Sequence, residues 1–153
     1  MKKGFDYKDL EKFRDRLNTA SQSDIDFFFE NCAKELAARL LAKVIKRTPV
    51  GQYPKSSGKV GGTLRRGWTN GENSDARKYA ESLKIEKKTG YYEITISNPV
   101  EYAGYVENGH RTRNHKGWVK GLFMLKISEE EMRVQSPVIL QKKMEQYLRS
   151  VFM

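Results

Sequence analysis

The sequence predicts an α+β fold: N-terminal helices including one long helix, a small antiparallel sheet with a hairpin, and a C-terminal helix packed on the sheet. Three observations carry this. An apolar stripe at helical spacing runs from Ile25 to Val44. Apolar and polar residues alternate on both sides of Lys88-Thr89-Gly90. A second helical stripe (Leu140, Met144, Tyr147, Leu148 and Val151) occupies the C-terminus. Helices come first and last with a hairpin between them, which is the order of an α+β chain.

In chain order, Leu10, Phe13 and Leu17 predict a short amphipathic helix over residues 7–17, broken by the small polar residues of 19–23. Ser23 and Asp26 then resemble a capping box. They open the long helix, whose stripe is Ile25, Phe28, Phe29, Cys32, Leu36, Leu40 and Val44, with Ala33, Ala37 and Leu41 beside it. Lys43, Lys46 and Arg47 suit the negative end of its macrodipole, and Pro49 stops it. Residues 48–62 hold Pro49, Gly51, Pro54, Gly58, Gly61 and Gly62, a breaker-rich loop of a length seldom left idle in a compact domain. Order resumes over 63–68, as a strand or a short helical turn.

Residues 80–97 read as the hairpin. Leu83 and Ile85 alternate with Lys84 and Glu86, and Tyr92, Ile94 and Ile96 with Glu93 and Thr95, before Pro99 stops the second strand. Tyr102, Tyr105 and Val106 predict a short helix ended by Gly109, followed by a second basic loop over 109–121. Helix returns from about 120 to 132 and again after Ser136, with Ser136-Pro137 as an N-cap and first-turn pair. Pro137 either kinks one helix or separates two.

The 153 residues suit a single domain over 1–153 that buries its own core without metals or disulfides. A composition 38% hydrophobic and 31% charged is globular rather than disordered. The formal net charge of +10 calls for acidic partners: nucleic acid, an anionic membrane or an acidic protein surface. Cys32, the one cysteine, excludes a disulfide framework and reads as a small buried hydrophobe. No signal-peptide pattern opens the chain, and no apolar run approaches the roughly 20 residues that span a bilayer. Synthesis in a reducing cytoplasm, with no membrane partner, is the expectation.

No residue set points to catalysis or to a metal. His110 and His115 sit among Arg111, Arg113 and Lys116, and cationic neighbours oppose a dication. Glu107 and His110 could be drawn as an acid–base pair, but no nucleophile or orienting third group accompanies them. The glycines of 58–62 lack the spacing and the lysine-serine ending of a phosphate loop. No enzymatic activity and no cofactor are expected.

The informative feature is the pair of basic, glycine-containing loops. Residues 43–66 hold seven Lys or Arg and no acid, and 109–128 again hold no acid. Arg65 and Arg66 lie beside Trp68, and Arg111 and Arg113 near Trp118. Clusters of this kind bind phosphate backbones or acidic protein surfaces, or they are simply a solvated basic face. The partner-contact candidates are therefore Lys55, Lys59, Arg65, Arg66, Trp68, Arg111, Arg113, Lys116 and Trp118. Neighbouring Val60, Leu64, Val119, Leu122 and Phe123 argue for burial against something, as in loops ordered only in an assembly.

The order of short motifs along the chain is more specific than any one of them. The long helix ends Arg47-Thr48-Pro49-Val50, and Gly62-Thr63-Leu64-Arg65-Arg66-Gly67-Trp68 follows. Next come Ile96-Ser97-Asn98-Pro99-Val100 and Glu101-Tyr102-Ala103-Gly104-Tyr105-Val106-Glu107-Asn108-Gly109-His110. Trp118-Val119-Lys120-Gly121-Leu122-Phe123 then leads into the last helix. Over roughly residues 5–150 this series resembles the tail-completion, or head–tail joining, family of small neck proteins in long-tailed double-stranded DNA phages. The 48–62 loop departs from the family in lacking its common Thr-Pro-Val-Asp-Thr-Gly run.

The resemblance implies a non-enzymatic virion protein made in a bacterial host. It would form a homo-oligomeric ring, of six in the family's manner, joining the tail tube or terminator to the connector, near genomic DNA. A phage or a headless, tailocin-like particle would fit equally. The 83–97 hairpin could lend an edge strand to a neighbour. Positive loops facing an acidic partner ring fit better than positive loops in the DNA lumen, where phosphate binding would slow the genome. A basic nucleic-acid-binding accessory protein is the alternative, though no helix-turn-helix, zinc finger or single-strand-binding motif backs it. A small cell-wall hydrolase is more distant, because it would need an acid pair that the basic loops lack.

Overall fold

Helix α1 (Gln22–Arg47) is the axis of the molecule. The computed structural model describes residues 22–72 and 74–152, together with Lys8, Glu11, Lys12 and Asp15. The Leu10, Phe13 and Leu17 stripe of the expected first helix lies outside the described residues.

Along the C-terminal half of α1 the stripe faces inward through Ala37, Leu41 and Val44, which are buried together with Ala38, while Leu36 and Leu40 are half-buried. At its end Thr48 turns back on the helix. Its N–H and its hydroxyl both bond to the Val44 carbonyl, at 3.0 and 2.7 Å, and Pro49 then forbids continuation. The loop that follows contains one short 3-10 turn, Lys55–Ser57, closed by Gly58 in the left-handed region. Residues 63–68 take the helical alternative, as α2 (Thr63–Gly67).

The hairpin is shorter than expected. Residues 80–82 belong to helix α3 (Ala76–Ser82), whose start is fixed by the Asp75 carboxylate accepting from Lys78 N–H at 2.9 Å. Ala80 has no side chain beyond Cβ and is fully buried, so α3 packs closely on α1. Strands β1 (Ile85–Lys88) and β2 (Tyr91–Ile94) then pair antiparallel, with Ile85 opposite Ile94 and Lys88 opposite Tyr91. Thr89 and Gly90 make the turn, Gly90 at a φ of 83°.

Side chains tie these elements to α1. Arg77 of α3 grips Glu35 with both guanidinium nitrogens, at 2.6 and 3.1 Å, and Arg39 adds a third bond at 2.8 Å. The Arg77 hydrogen bond is the main reason the Glu35 carboxyl is pushed down to about 2, against the opposing effect of burial. Lys87 of β1 meets Asp26 at 2.9 Å, Tyr92 of β2 donates its hydroxyl to the same carboxylate, and the Tyr92 ring stacks on Phe29.

Helix α4 (Ala103–Asn108) follows, ended by Gly109 as read. Beyond it the structure departs from the expectation in two places. Residues Trp118–Lys120, expected in the second basic loop with the helix returning only at about 120, form strand β4, paired antiparallel with β3 (Gly109–Arg111). The last helix, α5 (Met124–Phe152), is then continuous through Pro137. Ser136 is no N-cap there: its hydroxyl donates back to the Met132 carbonyl, inside the turn where proline removes a donor.

Helices α1 and α5 run antiparallel. Arg47 and Lys43 meet Glu131 at one end, and the Phe28 ring stacks on Tyr147 at the other, with centroids 4.4 Å apart. The first part of α5 brings Met124 into the core and sets Leu125 and Met132 opposite strand β2. The C-terminal stripe is inward only in part. Tyr147 and Val151 are half-buried, whereas Leu140, Met144 and Leu148 stay exposed. Cys32 is buried, and loss of solvation pushes its thiol up, which keeps it unreactive at neutral pH.

Candidate functional site

The ordered motifs from Arg47 to Val100 come together in one knot of contacts at the C-terminal end of α1. Thr48 is its centre. The Trp68 indole N–H donates to the Thr48 hydroxyl at 2.8 Å, and the Arg65 guanidinium donates twice to the Thr48 carbonyl, at 3.1 and 2.6 Å. The Asn98 side-chain amide donates to the Leu64 carbonyl at 2.8 Å, and its carbonyl accepts from Val100 N–H at 3.1 Å. Gly67 is required at that crossing, because a Cβ there would lie 2.1 Å from the Asn98 oxygen.

Trp68 is therefore not a partner contact. It is 4% exposed and belongs to the core cluster. Arg65 is half-buried with its guanidinium spent on the main chain, and Arg66 reaches back to the Gly61 carbonyl at 3.3 Å. These residues shape the first loop rather than project from it.

What does project is a face built from three pieces. Residues 51–60 are exposed throughout, including Lys55 and Lys59. Lys59 lies over the Tyr53 ring, 5.7 Å from its centroid, and Val60 is 78% exposed. Val50, Tyr53 and Val60 share a shallow hollow of about 240 Å³ with Tyr102, just before α4, and Val106 of α4. Helix α4 in turn touches β3, where Tyr105 meets the edge of His110 at 5.8 Å. The two basic loops are thus joined through α4 into one surface.

The third piece, the β3–β4 hairpin, is organised by its own bonds. Thr112 N–H donates to the Gly117 carbonyl at 3.0 Å, and Gly117 N–H donates to the Thr112 hydroxyl at 3.0 Å. The Asn114 side chain accepts from Lys116 N–H at 3.1 Å, and His115 takes a left-handed φ of 56° at the tip. The expectation of loops ordered only in an assembly does not describe this finger. Its base is equally tight: a Cβ on Gly121 would lie 2.4 Å from the Glu107 carbonyl oxygen. Arg111, Arg113, Lys116 and Trp118 all stand out from it, Trp118 at 62% exposed. Among the described residues no acid lies within ion-pair distance of the three cations.

Glu107 holds this hairpin to the last helix. Its carboxylate accepts from the N–H groups of Leu125 and Lys126, at 2.9 and 3.0 Å, where α5 begins and its dipole is positive. A carboxylate used in this way cannot serve His110 as an acid–base partner. His110 itself turns Nδ1 to the Arg111 carbonyl at 2.8 Å. No His, Cys, Asp and Glu group suited to a metal occurs among the described residues.

The surface is thus rigid, basic and aromatic, which suits recognition rather than bond making. Sequence reasoning missed Tyr53, Tyr102 and Tyr105 as parts of it. The two tyrosines before and in α4 fall at helical spacing with Val106 and read only as a short helix. Their exposure follows from where α4 sits, at the edge of the fold.

No described helix is long and apolar enough to cross a membrane. Neither the curated proteins nor the solved structures include a match to the chain. A family model does match, over residues 11–109, well over half of the sequence and including the whole Thr48 knot. The chain belongs to that family, described as "Bacteriophage HK97-gp10, putative tail-component".

Proposed function

We propose that the protein is a tail-completion subunit that assembles into a ring at the head–tail junction of a phage or phage-tail-like particle. There it joins the tail tube or terminator to the connector, in the neighbourhood of the genomic DNA. It acts by binding, without catalysis or cofactor. The observation that carries this reading is the exposed face around Tyr53, Lys55, Lys59 and Val60, held in place by the Thr48 knot in a chain of a phage tail-component family. Aromatic side chains interleaved with cations suit the acidic surface of an adjacent ring.

The test is the triple change Lys55→Glu, Lys59→Glu and Val60→Asp, made in the particle-producing host and read by electron microscopy of the neck. Every altered side chain is exposed, so the fold is expected to stand while tails fail to join heads. Normal particles carrying the variant at the neck would overturn the role of this face, and absence of the wild-type chain from tail particles would overturn the whole reading.

A second reading is favoured by one specific observation, the exposed Arg111, Arg113 and Lys116, with no ion pair among the described residues, around an exposed Trp118. This arrangement would serve a nucleic-acid-binding accessory protein equally well. Gel-shift of double-stranded DNA that weakens steeply with salt, by a chain never found in particles, would decide for it.

A further inference from the structure

A long apolar trough opens at the end of the molecule away from the basic face. It consists of two confluent hollows of about 460 and 590 Å³ between α1, strand β2 and α5, sharing Ala33, Leu36 and Tyr92. Its far end is walled by Phe28, Phe29, Tyr91 and Met144. Three of these four (Phe29, Tyr91 and Met144) stay exposed to water. A contiguous apolar surface of this kind marks a binding site. Two carboxylates, Glu93 and Glu129, stand in the lining of the nearer hollow. Neither forms a salt bridge among the described residues, and neither is part of the acid-free loops.

We propose that the occupant is a second copy of this chain, which inserts its β3–β4 finger into the trough. Trp118 would enter between α1 and α5, and Arg113 and Lys116 would meet Glu93 and Glu129. The finger offers what the trough lacks: two cations without acids beside an exposed indole, on a hairpin already ordered by its own hydrogen bonds. Little conformational entropy is then lost on docking.

Placement supports the same pairing. The finger is rooted at the start of α5, which Arg47 ties to the C-terminal end of α1, whereas Phe28 lines the far hollow of the trough about 20 residues earlier on α1, roughly 30 Å along the helix. A finger and a trough that are different surfaces of one chain make a head-to-tail contact, and such contacts close into rings when the rotation closes. Copies that each carry +10 repel, so a local match of opposite charge is needed to set the register. The inference deepens the ring proposed above and rests on it.

The test uses full-length chains and light scattering at rising concentration. The groove variant Glu93→Lys/Glu129→Lys and the finger variant Arg113→Glu/Lys116→Glu are each expected to weaken self-association at least about tenfold. In a mixture of the groove variant and the finger variant each finger meets a trough of opposite charge on the other variant, so alternating larger species are expected where neither variant assembles alone. The four changes combined in one chain restore the charge match and are expected to restore the assembly.

A wild type that does not self-associate in solution is read by cross-linking instead. A photo-crosslinker is placed on Met144→Cys in a Cys32→Ala background, using isotope-labelled mixtures on purified tail particles. Links from residue 144 to residues 111–118 of another chain support the proposal. Links to residues 1–21 of the same chain, or to a different tail protein, overturn it. Ring formation unaffected by either pair of reversals also overturns it while leaving the tail role standing, and absence of the wild type from particles removes the tail role itself.

Discussion

The two tryptophans begin from almost the same sequence setting and end in opposite ones. Each follows a pair of arginines in a glycine-containing basic stretch. Trp68 is buried with its indole on the Thr48 hydroxyl, while Trp118 stands out from a hairpin. The difference is made by what lies across from each. Thr48, fixed at the end of α1, offers a hydroxyl and a carbonyl to the first cluster, so indole and guanidinium both find acceptors and can leave water. The second cluster sits on a two-stranded hairpin whose own acceptors are used inside the turn, and its Trp118 stays 62% exposed. A cation–aromatic pattern thus identifies an anchor without saying whether it anchors the chain to itself or to a partner.

The sharpest way to break this contrast is to truncate both residues. Trp68→Ala is expected to destabilise the fold by about 3–5 kcal/mol, read as a lower midpoint in urea. Trp118→Ala is expected to stay within about 0.5 kcal/mol of the parent and to lose assembly only. Equal losses of stability would refute the division into inward and outward clusters.

Next in size is Thr48→Val, which keeps the shape but removes the acceptor for the indole. Leaving that buried N–H unsatisfied should lower stability by about 1–3 kcal/mol, measured in the same way. A neutral effect would mean that the Trp68 bond does not hold the knot.

Glu107→Gln tests the other side of the comparison, the fastening of the outward hairpin to α5. Losing a charged cap at a helix N-terminus should lower stability by about 1 kcal/mol. Faster hydrogen exchange at Leu125 and Lys126, the two amides it accepts from, is the accompanying sign.

The smallest effect is expected at Glu35, remote from both clusters. Its carboxyl is pushed down to about 2 from the ordinary 4.5, chiefly by the Arg77 hydrogen bond. A pKa lowered by folding contributes stability that is complete above 4.5 and is lost as pH falls toward about 2. Both arginines are largely solvated, so screening holds the contribution to about 1 kcal/mol or less. Thermal melts of Glu35→Gln should therefore differ from the parent at pH 7 and converge with it near pH 2. A constant gap across that range would show that the carboxylate charge is not what matters.

Much of this was legible in the chain itself. The α1 stripe, the glycine-ended α4, the hairpin turn and the acid-free loops all depend on spacing between near neighbours, which periodicity and turn chemistry report directly. The ordered motifs from Thr48 to Gly109 likewise pointed to a tail-protein family before any contact was known. Helix α3 escaped because seven residues held by one Asp75 cap leave little periodic signal. Strand β4 was read as the end of the basic loop because three residues are too few to show a strand's period.

Tertiary structure alone decided the rest. It turned Trp68 in and left Trp118 out, put Glu107 on the α5 N-terminus instead of beside His110, and carried α5 unbroken through Pro137. It also set Phe29, Tyr92 and Met144, from three elements far apart in the chain, around one open trough. Local pattern specifies which residues seek burial. Which of them find cover depends on surfaces that meet only once the helices have docked, and the apolar residues left over are those that a partner can cover.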